Sequence, residues 1–323
     1  MKDSKSFTYK ICACVTNLGG VLLEQATGME ENVKDIKGTT KVCGLIGNPV
    51  AHSISPLIHN NLAEFENIEL AYVTFKVQSG KVAEAVKGAY ELNVFGMNVT
   101  VPHKNEVIAS LVDIDPLAKD IGAVNTLVRV EGGFKGYNTD LIGLQRQLSD
   151  ANIELTDNDV IILGAGGAAR AIVFLCAREG AKSIYILNRT LENARQLANE
   201  VNAVLGMNVV IGMKIEDYNK LPNKQFITIQ TTSVGLHPND DCAPIENLDF
   251  YDKVLVGVDI IYNPTKTKFM KLVESKGKIA YNGLKMLLYQ GVCAFELWNE
   301  IKVSEDVIES VYELMKKELN LVD

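Results

Sequence analysis

The stretch Ile162-Leu163-Gly164-Ala165-Gly166-Gly167-Ala168-Ala169-Arg170 ends a short apolar run, Asp159–Leu163, and opens a helix-forming run that reaches Glu179. Gly164-x-Gly166-x-x-Ala169 between a strand and a helix is the fingerprint of a dinucleotide site. The first glycine permits the tight turn. The second lets the backbone approach a pyrophosphate, and the small residue at 169 lets the helix pack close to the sheet. The helix start adds free N–H groups and the positive end of its dipole. The pattern alone is weak, because a plain tight strand–helix turn looks the same. Its placement between a strand and a helix points to cofactor binding, with Gly164, Ala165, Gly166, Gly167 and Ala168 as the contacting residues.

Outward from this turn the chain keeps alternating. Ser183–Asn188 reads as a strand, Thr190–Val204 as a helix, and Phe226–Thr231 and Val254–Ile261 as two further apolar strands. Continuous apolar runs separated by helices imply a parallel, doubly wound, Rossmann-like sheet. The end of the second strand bears on the choice of cofactor. An NAD site usually carries Asp or Glu there to accept from the ribose 2′-hydroxyl. This chain has Asn188-Arg189-Thr190, a guanidinium and a hydroxyl suited to a 2′-phosphate. NADP is favoured over NAD, against the plainer reading of Arg189 as a solvated loop residue.

The N-terminal half is α/β as well. Val42–Gly47, Leu70–Val77 and Val94–Thr100 read as strands. Pro56–Phe65 is a helix with Ser55 as its N-cap, and Ser79–Leu92 a helix with Val82, Val86 and Tyr90 on one stripe. Thr126–Val130 and Phe134–Tyr137 flank Glu131-Gly132-Gly133, a hairpin signal. After Gly283, Leu284, Leu287, Leu288, Val292, Phe295 and Trp298 form one helical face, and a last helix starts at Ser304. The expected plan is an extension at 1–40, partly disordered; a substrate domain at 41–143, completed by helices at 284–323; and a dinucleotide domain at 144–283. An active site belongs in the cleft between the two domains.

Composition narrows the class. The chain has 323 residues, 47% apolar and 22% charged, with a net charge of -8. An acidic chain has no general attraction for nucleic acid or an anionic membrane surface. No apolar run reaches the length of a membrane span. The six cysteines are scattered without a Cys-x-x-Cys pair, which fits free thiols and a cytoplasmic location. Lys2, Lys5 and Lys10 before Ile11–Val15 faintly imitate a signal peptide, but Thr16-Asn17 and Gly19-Gly20 break the run. With four histidines and no metal-ligand spacing, no catalytic metal is expected.

Three polar clusters lie at strand ends of the first half: Gly47 to Asn60, Gly96 to Lys104, and Gly122 to Thr126 followed by Gly136 to Asp140. Hydroxyls, amides, one lysine and one aspartate suit a small polyhydroxylated acid. Each residue also has a plain reading. Ser55 and Asp140 read as helix caps, Asn98 and Asn125 as turn residues, Lys104 as an exposed lysine, and His52 and His103 as supporting residues.

Taken together, the motifs resemble the shikimate dehydrogenase family. They are HSxSPxxHN (52–60), GxNVTxPxK (96–104), GAVNT (122–126), GYNTD (136–140), GAGGAAR (164–170) and NRT (188–190), then TTSVGL (231–236), DIIYNPTKT (259–267) and GLKMLLYQ (283–290). The resemblance implies reversible NADP-dependent oxidation of the 3-hydroxyl of shikimate to 3-dehydroshikimate, a step toward chorismate and the aromatic amino acids. By matching position it implies Lys104 and Asp140 as the catalytic pair. It implies Ser53, Ser55, Asn98, Thr100, Asn125, Tyr262 and Gln290 around the substrate, and Gly283 with the turn residues, Asn188, Arg189 and Thr190 around the cofactor. A lysine acts as a base near neutral pH when desolvation or a nearby cation disfavours its ammonium, whereas a carboxylate neighbour favours it. Which of the two moves the proton stays open.

Two departures stand out. Gln230 replaces the Asn usual before TTS, and Asn193 occupies a position often basic in NADP-using members, which weakens the NADP preference. Alternatives are an NAD-dependent quinate/shikimate dehydrogenase, an unrelated folate-type reductase, and a ligand sensor on the same fold. Retention of both Lys104 and Asp140 argues against the sensor. A homodimer is left open.

Overall fold

The computed structural model describes residues 36–236 and 240–321. Residues 1–35, with most of the expected extension, lie outside them. Lys41–Gly47 (β1), Ser55–Phe65 (α1), Leu70–Lys76 (β2), Val82–Glu91 (α2) and Gly96–Val99 (β3) follow in order. Asp113–Ile114 (β4), Pro116–Ile121 (α3), Thr126–Val130 (β5), Gly133–Tyr137 (β6) and Asp140–Asp150 (α4) complete the first run. One sheet gathers these strands in the order β2-β1-β3-β5-β6-β4. β1 runs parallel to β2 and β3, whereas β5 and β6 form the antiparallel hairpin.

The second sheet uses Asp159–Leu163 (β7), Gly167–Arg178 (α5), Ser183–Asn188 (β8), Leu191–Leu205 (α6), Val210–Lys214 (β9) and Phe226–Gln230 (β10). It continues through Leu248–Tyr251 (α7), Val254–Asp259 (β11), Lys268–Ser275 (α8) and Ile279–Tyr281 (β12). Its order is β12-β11-β10-β7-β8-β9 with every pairing parallel. β7 sits at the centre, so its Val-Ile-Ile-Leu run is buried on both faces. The chain reverses direction between β7 and β10, which places a ligand crevice at the C-terminal ends of these strands.

Leu284–Asn299 (α9) and Glu305–Glu318 (α10) return to the first sheet. Ser304 caps α10 by accepting from Val307 N–H. Leu284, Leu288, Val292, Phe295 and Trp298 join Ile58, Leu62, Leu70 and Tyr72 in one core. Leu287, expected on the same face, is half-buried and turns to the cleft. Trp298 lies over Gly96, where any Cβ would meet the indole nitrogen at 2.3 Å, and its Nε1 donates to Leu127 O at 2.9 Å. From Gly38 onward the described residues form one compact unit. The expected boundary at 143/144 falls inside α4, whose Leu141, Leu144 and Leu148 pack with α5. Among the described residues no helix is long and apolar enough to cross a membrane.

His59 on α1 is fully buried, stacked on Tyr72 at 4.2 Å, with neither ring nitrogen hydrogen-bonded. Burial pushes its pKa down to about 3. The unfolded chain therefore binds a proton near pH 6.5 that the folded one refuses, and stability drains away as pH falls from that value toward 3. The stability of wild type relative to His59→Phe should fall by about 1.4 kcal/mol between pH 7.5 and 5.5 in urea unfolding. A gap independent of pH would show that the ring is not buried in its neutral form.

Candidate active site

Lys104 follows β3, and Asp140 is the first residue of α4. Asp140 does not cap its helix. The N-cap is Thr139, without a side-chain cap bond, and the preceding Asn138 ties down the turn, its Oδ1 accepting from the backbone N–H groups of Asp140 (3.1 Å) and Leu141 (3.4 Å). The Asp140 carboxylate is left to face the cleft, where Oδ2 accepts from Lys104 Nζ at 2.7 Å. The two side chains keep 18% and 14% of their surface exposed, enough for a ligand to reach them.

Asn125, at the start of the hairpin, fixes the other carboxylate oxygen. Its Nδ2 donates to Asp140 Oδ1 (2.9 Å) and Thr139 Oγ1 (3.0 Å), and its Oδ1 accepts from Thr139 N–H (2.7 Å) and Thr126 Oγ1 (3.1 Å). Two donors and two lone pairs exhaust a carboxamide, so in this arrangement Asn125 orients the pair. Asn98 is similarly engaged. It accepts from the buried Tyr72 hydroxyl at 2.8 Å and donates to Thr126 Oγ1 at 3.1 Å. Sequence reasoning passed over Tyr72, Thr126 and Thr139; the inward alternation of β2 was the available signal for Tyr72.

Ser55 also departs from its expected role. Ile54 is the N-cap of α1, without a side-chain cap bond. Pro56 already suits the first turn, so the Ser55 hydroxyl turns to the cleft and accepts from Ser53 Oγ at 3.1 Å. His103 is fully buried, with its ring nitrogens against Val77 O and Glu106, a supporting arrangement.

On the facing side Gly164 has φ +111°, and a Cβ there would meet Thr231 Oγ1 and Thr232 Cγ2 at 2.8 Å. Gly166, the N-cap of α5, carries no side-chain cap, and nothing lies within 4 Å of a Cβ built on Gly166 or Gly167. An uncapped helix start beneath open space fits a pyrophosphate. Arg170 points away from the turn, donating to Ile121 O and Glu200. At the end of β8, Asn188 Nδ2 donates to Thr190 O at 2.9 Å, while Arg189 and Thr190 are exposed. Gln230 is fully buried. Its Nε2 donates to Thr232 O (3.2 Å) and Val234 O (3.1 Å), so the longer amide ties down the loop after β10. Neighbouring Asp259 is buried too, and desolvation pushes its carboxyl up to about 7 despite bonds from Thr267 Oγ1 and Ile261 N–H.

A cavity of about 620 Å³ joins the two sides. Ser53, Ser55, Asn98, Thr100, Lys104 and Asn125 line it from the first sheet. Asp140, Ala168, Tyr262, Gly283 and Gln290 close it from the helices and the second sheet. Burial raises the Tyr262 hydroxyl pKa above its usual range. Gly164, Ala165, Gly166, Gly167, Asn188, Arg189 and Thr190 are not among the lining residues. Among the described residues no cluster of three His, Cys, Asp or Glu is placed to hold a metal ion.

Residues 45–127 match the shikimate dehydrogenase substrate binding domain, 145–234 match shikimate / quinate 5-dehydrogenase, and 283–311 match the shikimate 5′-dehydrogenase C-terminal domain. The NADP(+) shikimate dehydrogenase of Bacillus cereus strain AH820 is 41% identical over 256 residues, covering 79% of this chain and 91% of that one. Shikimate 5-dehydrogenase of Listeria monocytogenes, crystallised with shikimate and NAD, superposes with a TM-score of 0.79 at 31% identity, over 87% of this chain and 98% of that one. The Thermus thermophilus enzyme, crystallised with NADP(H) and shikimate, gives 0.75 at 30% identity over 85% and 99%. On these matches, with the glycine turn and the two-sheet fold in agreement, the chain belongs to the shikimate dehydrogenase family.

Proposed function

We propose that this chain catalyses the reversible NADP-dependent oxidation of shikimate to 3-dehydroshikimate. The observation that carries the reading is the Lys104–Asp140 pair, 2.7 Å apart in a cavity lined by hydroxyls and amides that reaches Ala168 in the first turn of α5. NADP, when bound, supplies the hydride acceptor. The backbone of residues 164–168 holds the pyrophosphate, and Asn188, Arg189 and Thr190 hold the ribose phosphate.

The remaining work falls to this chain's side chains. Ser53, Ser55 and Tyr262 grip the carboxylate end, and Asn98, Thr100 and Gln290 surround the ring hydroxyls. The 3-hydroxyl proton passes to the Lys104–Asp140 pair as the hydride leaves, and in the reverse direction the pair returns it. Asp140 fixes the direction of Nζ and is itself fixed by Asn125, so the acceptor is in place before substrate arrives. A cytoplasmic location accompanies this reading, supported by the free thiols of Cys43, Cys176, Cys242 and Cys293.

The test is an absorbance assay at about 340 nm, the reduced nicotinamide band, crossing shikimate and quinate with NADP and NAD. Shikimate with NADP should turn over fastest. Faster turnover of quinate, or of either acid with NAD, would replace the reading by the quinate/shikimate alternative. Silence in all four combinations would leave a ligand sensor.

A further inference from the structure

The first turn of α6 after Arg189-Thr190 reads Leu191-Glu192-Asn193-Ala194, which leaves Arg189 without a basic neighbour along it. The sheet supplies one from a different strand. In the parallel pairing of β8 with β9, Asn188 is in register with Lys214. Register partners in adjacent strands lie about 4.8 Å apart and project to the same face.

That face is the one covered by α6. Ile186 and Val210 pack with Ala194 and Leu197 in one core, whereas Leu187 lies in the core on the other side. Gly212, in register with Ile186, marks where the helix crosses β9: a Cβ there would meet Ala194 C and Arg195 N at 2.5 Å. Lys214 is two residues farther along the same face, a step of roughly 6.6 Å. At about 1.5 Å per helical residue, that step corresponds to roughly four residues of α6. Counting back from Ala194 leads to Thr190. Lys214 therefore stands level with the Arg189-Thr190 turn, on the same side of the sheet.

Lys214 is also available. Its side chain is 52% exposed and its Nζ is 3.7 Å from Glu216 Oε2, a loose surface pair worth little. Glu192 and Asp217 are the other carboxylates carried by the adjoining first turns. Arg189 alone would face these acids and a phosphate together.

We propose that Lys214 supplies the second positive charge, beside Arg189, for the 2′-phosphate of NADP; this rests on the NADP reading above. The direct probe is calorimetric titration of the full chain with 2′,5′-ADP and with 5′-AMP. Lys214→Ala should weaken 2′,5′-ADP binding on the order of tenfold and leave 5′-AMP within about twofold. Lys214→Arg should keep the wild-type affinity. Asn193→Lys placed on Lys214→Ala should recover most of the loss, which a merely structural defect would not permit. In kinetics, KM for NADP should rise with the binding loss while KM for shikimate stays put. Unchanged 2′,5′-ADP binding in Lys214→Ala overturns the assignment to Lys214 alone. A wild type that binds 2′,5′-ADP no better than 5′-AMP overturns the NADP reading and the assignment with it.

Discussion

Lys104→Ala lowers kcat by a factor on the order of 10²–10⁴, the range expected for loss of a positioned proton acceptor, and leaves the Kd for NADP within about twofold. The asymmetry follows from placement. Lys104, after β3, and Asp140, at the start of α4, line the cavity, whereas the glycine turn and the Asn188–Thr190 segment belong to the second sheet. Truncation leaves the local fold standing, because Lys104 contributes to it through its carbonyl, which accepts from Val124 N–H at 2.8 Å. It also leaves Asp140 anchored by Asn125. Single-turnover rates, with NADPH fluorescence for affinity, separate the two effects. Near-wild-type turnover would remove Lys104 from the chemistry, and equal losses in turnover and cofactor affinity would assign it a structural role instead.

Gly283→Ala should be nearly as severe by a different route. Gly283 has φ −83°, an ordinary conformation, so the constraint is space. An added Cβ would lie 2.1 Å from Ile260 O and 2.4 Å from Ile260 C, and these are backbone atoms that cannot rotate away. Overpacking of this kind costs about 3 kcal/mol, a fall in Tm of roughly 4–5 °C for a chain of this size. The segment that must shift includes Ile260 and Tyr262, both on the cavity wall. We expect kcat/KM for shikimate to fall on the order of tenfold or more at temperatures where the variant is fully folded. Gly88→Ala is the control, since nothing lies within 4 Å of its Cβ and it sits inside α2. It should be neutral or stabilise by up to about 1 kcal/mol. A Gly283→Ala protein that melts and turns over like this control would show that the contact at Ile260 relaxes freely.

Much of this architecture is written locally in the chain. β7 and β8 are bounded by the residues their apolar runs indicate, because central parallel strands are buried on both faces and carry no competing signal. Short elements were missed for the converse reason. β4 has two residues and β12 three, too few for a period, and they exist because β6 and β11 offer partners. Ser55 and Asp140 carry the residue types of helix caps, and local propensity assigns them so. Their actual neighbours are Ser53 and Lys104, set by how chain segments meet. The same limit applied to Asn125. Its type announces hydrogen bonding, but that its bonds run to Thr126, Thr139 and Asp140 is a property of the hairpin brought against α4.

The return of α9 and α10 to the first sheet has a consequence for assembly. Trp298 donates to a carbonyl 171 positions earlier, and Met286 N–H donates to Gln147 Oε1 across 139 positions. Contacts of such separation close late, because the entropy of a long loop must be lost before they form. The second sheet draws its strands from one continuous stretch, β7 to β12, with neighbours mostly one helix apart. On a ribosome that stretch is complete before the helices that finish the core around Tyr72 have emerged. The half of the molecule begun first is therefore finished last, and truncation before α9 would strand a cofactor fold beside an open, unsealed partner.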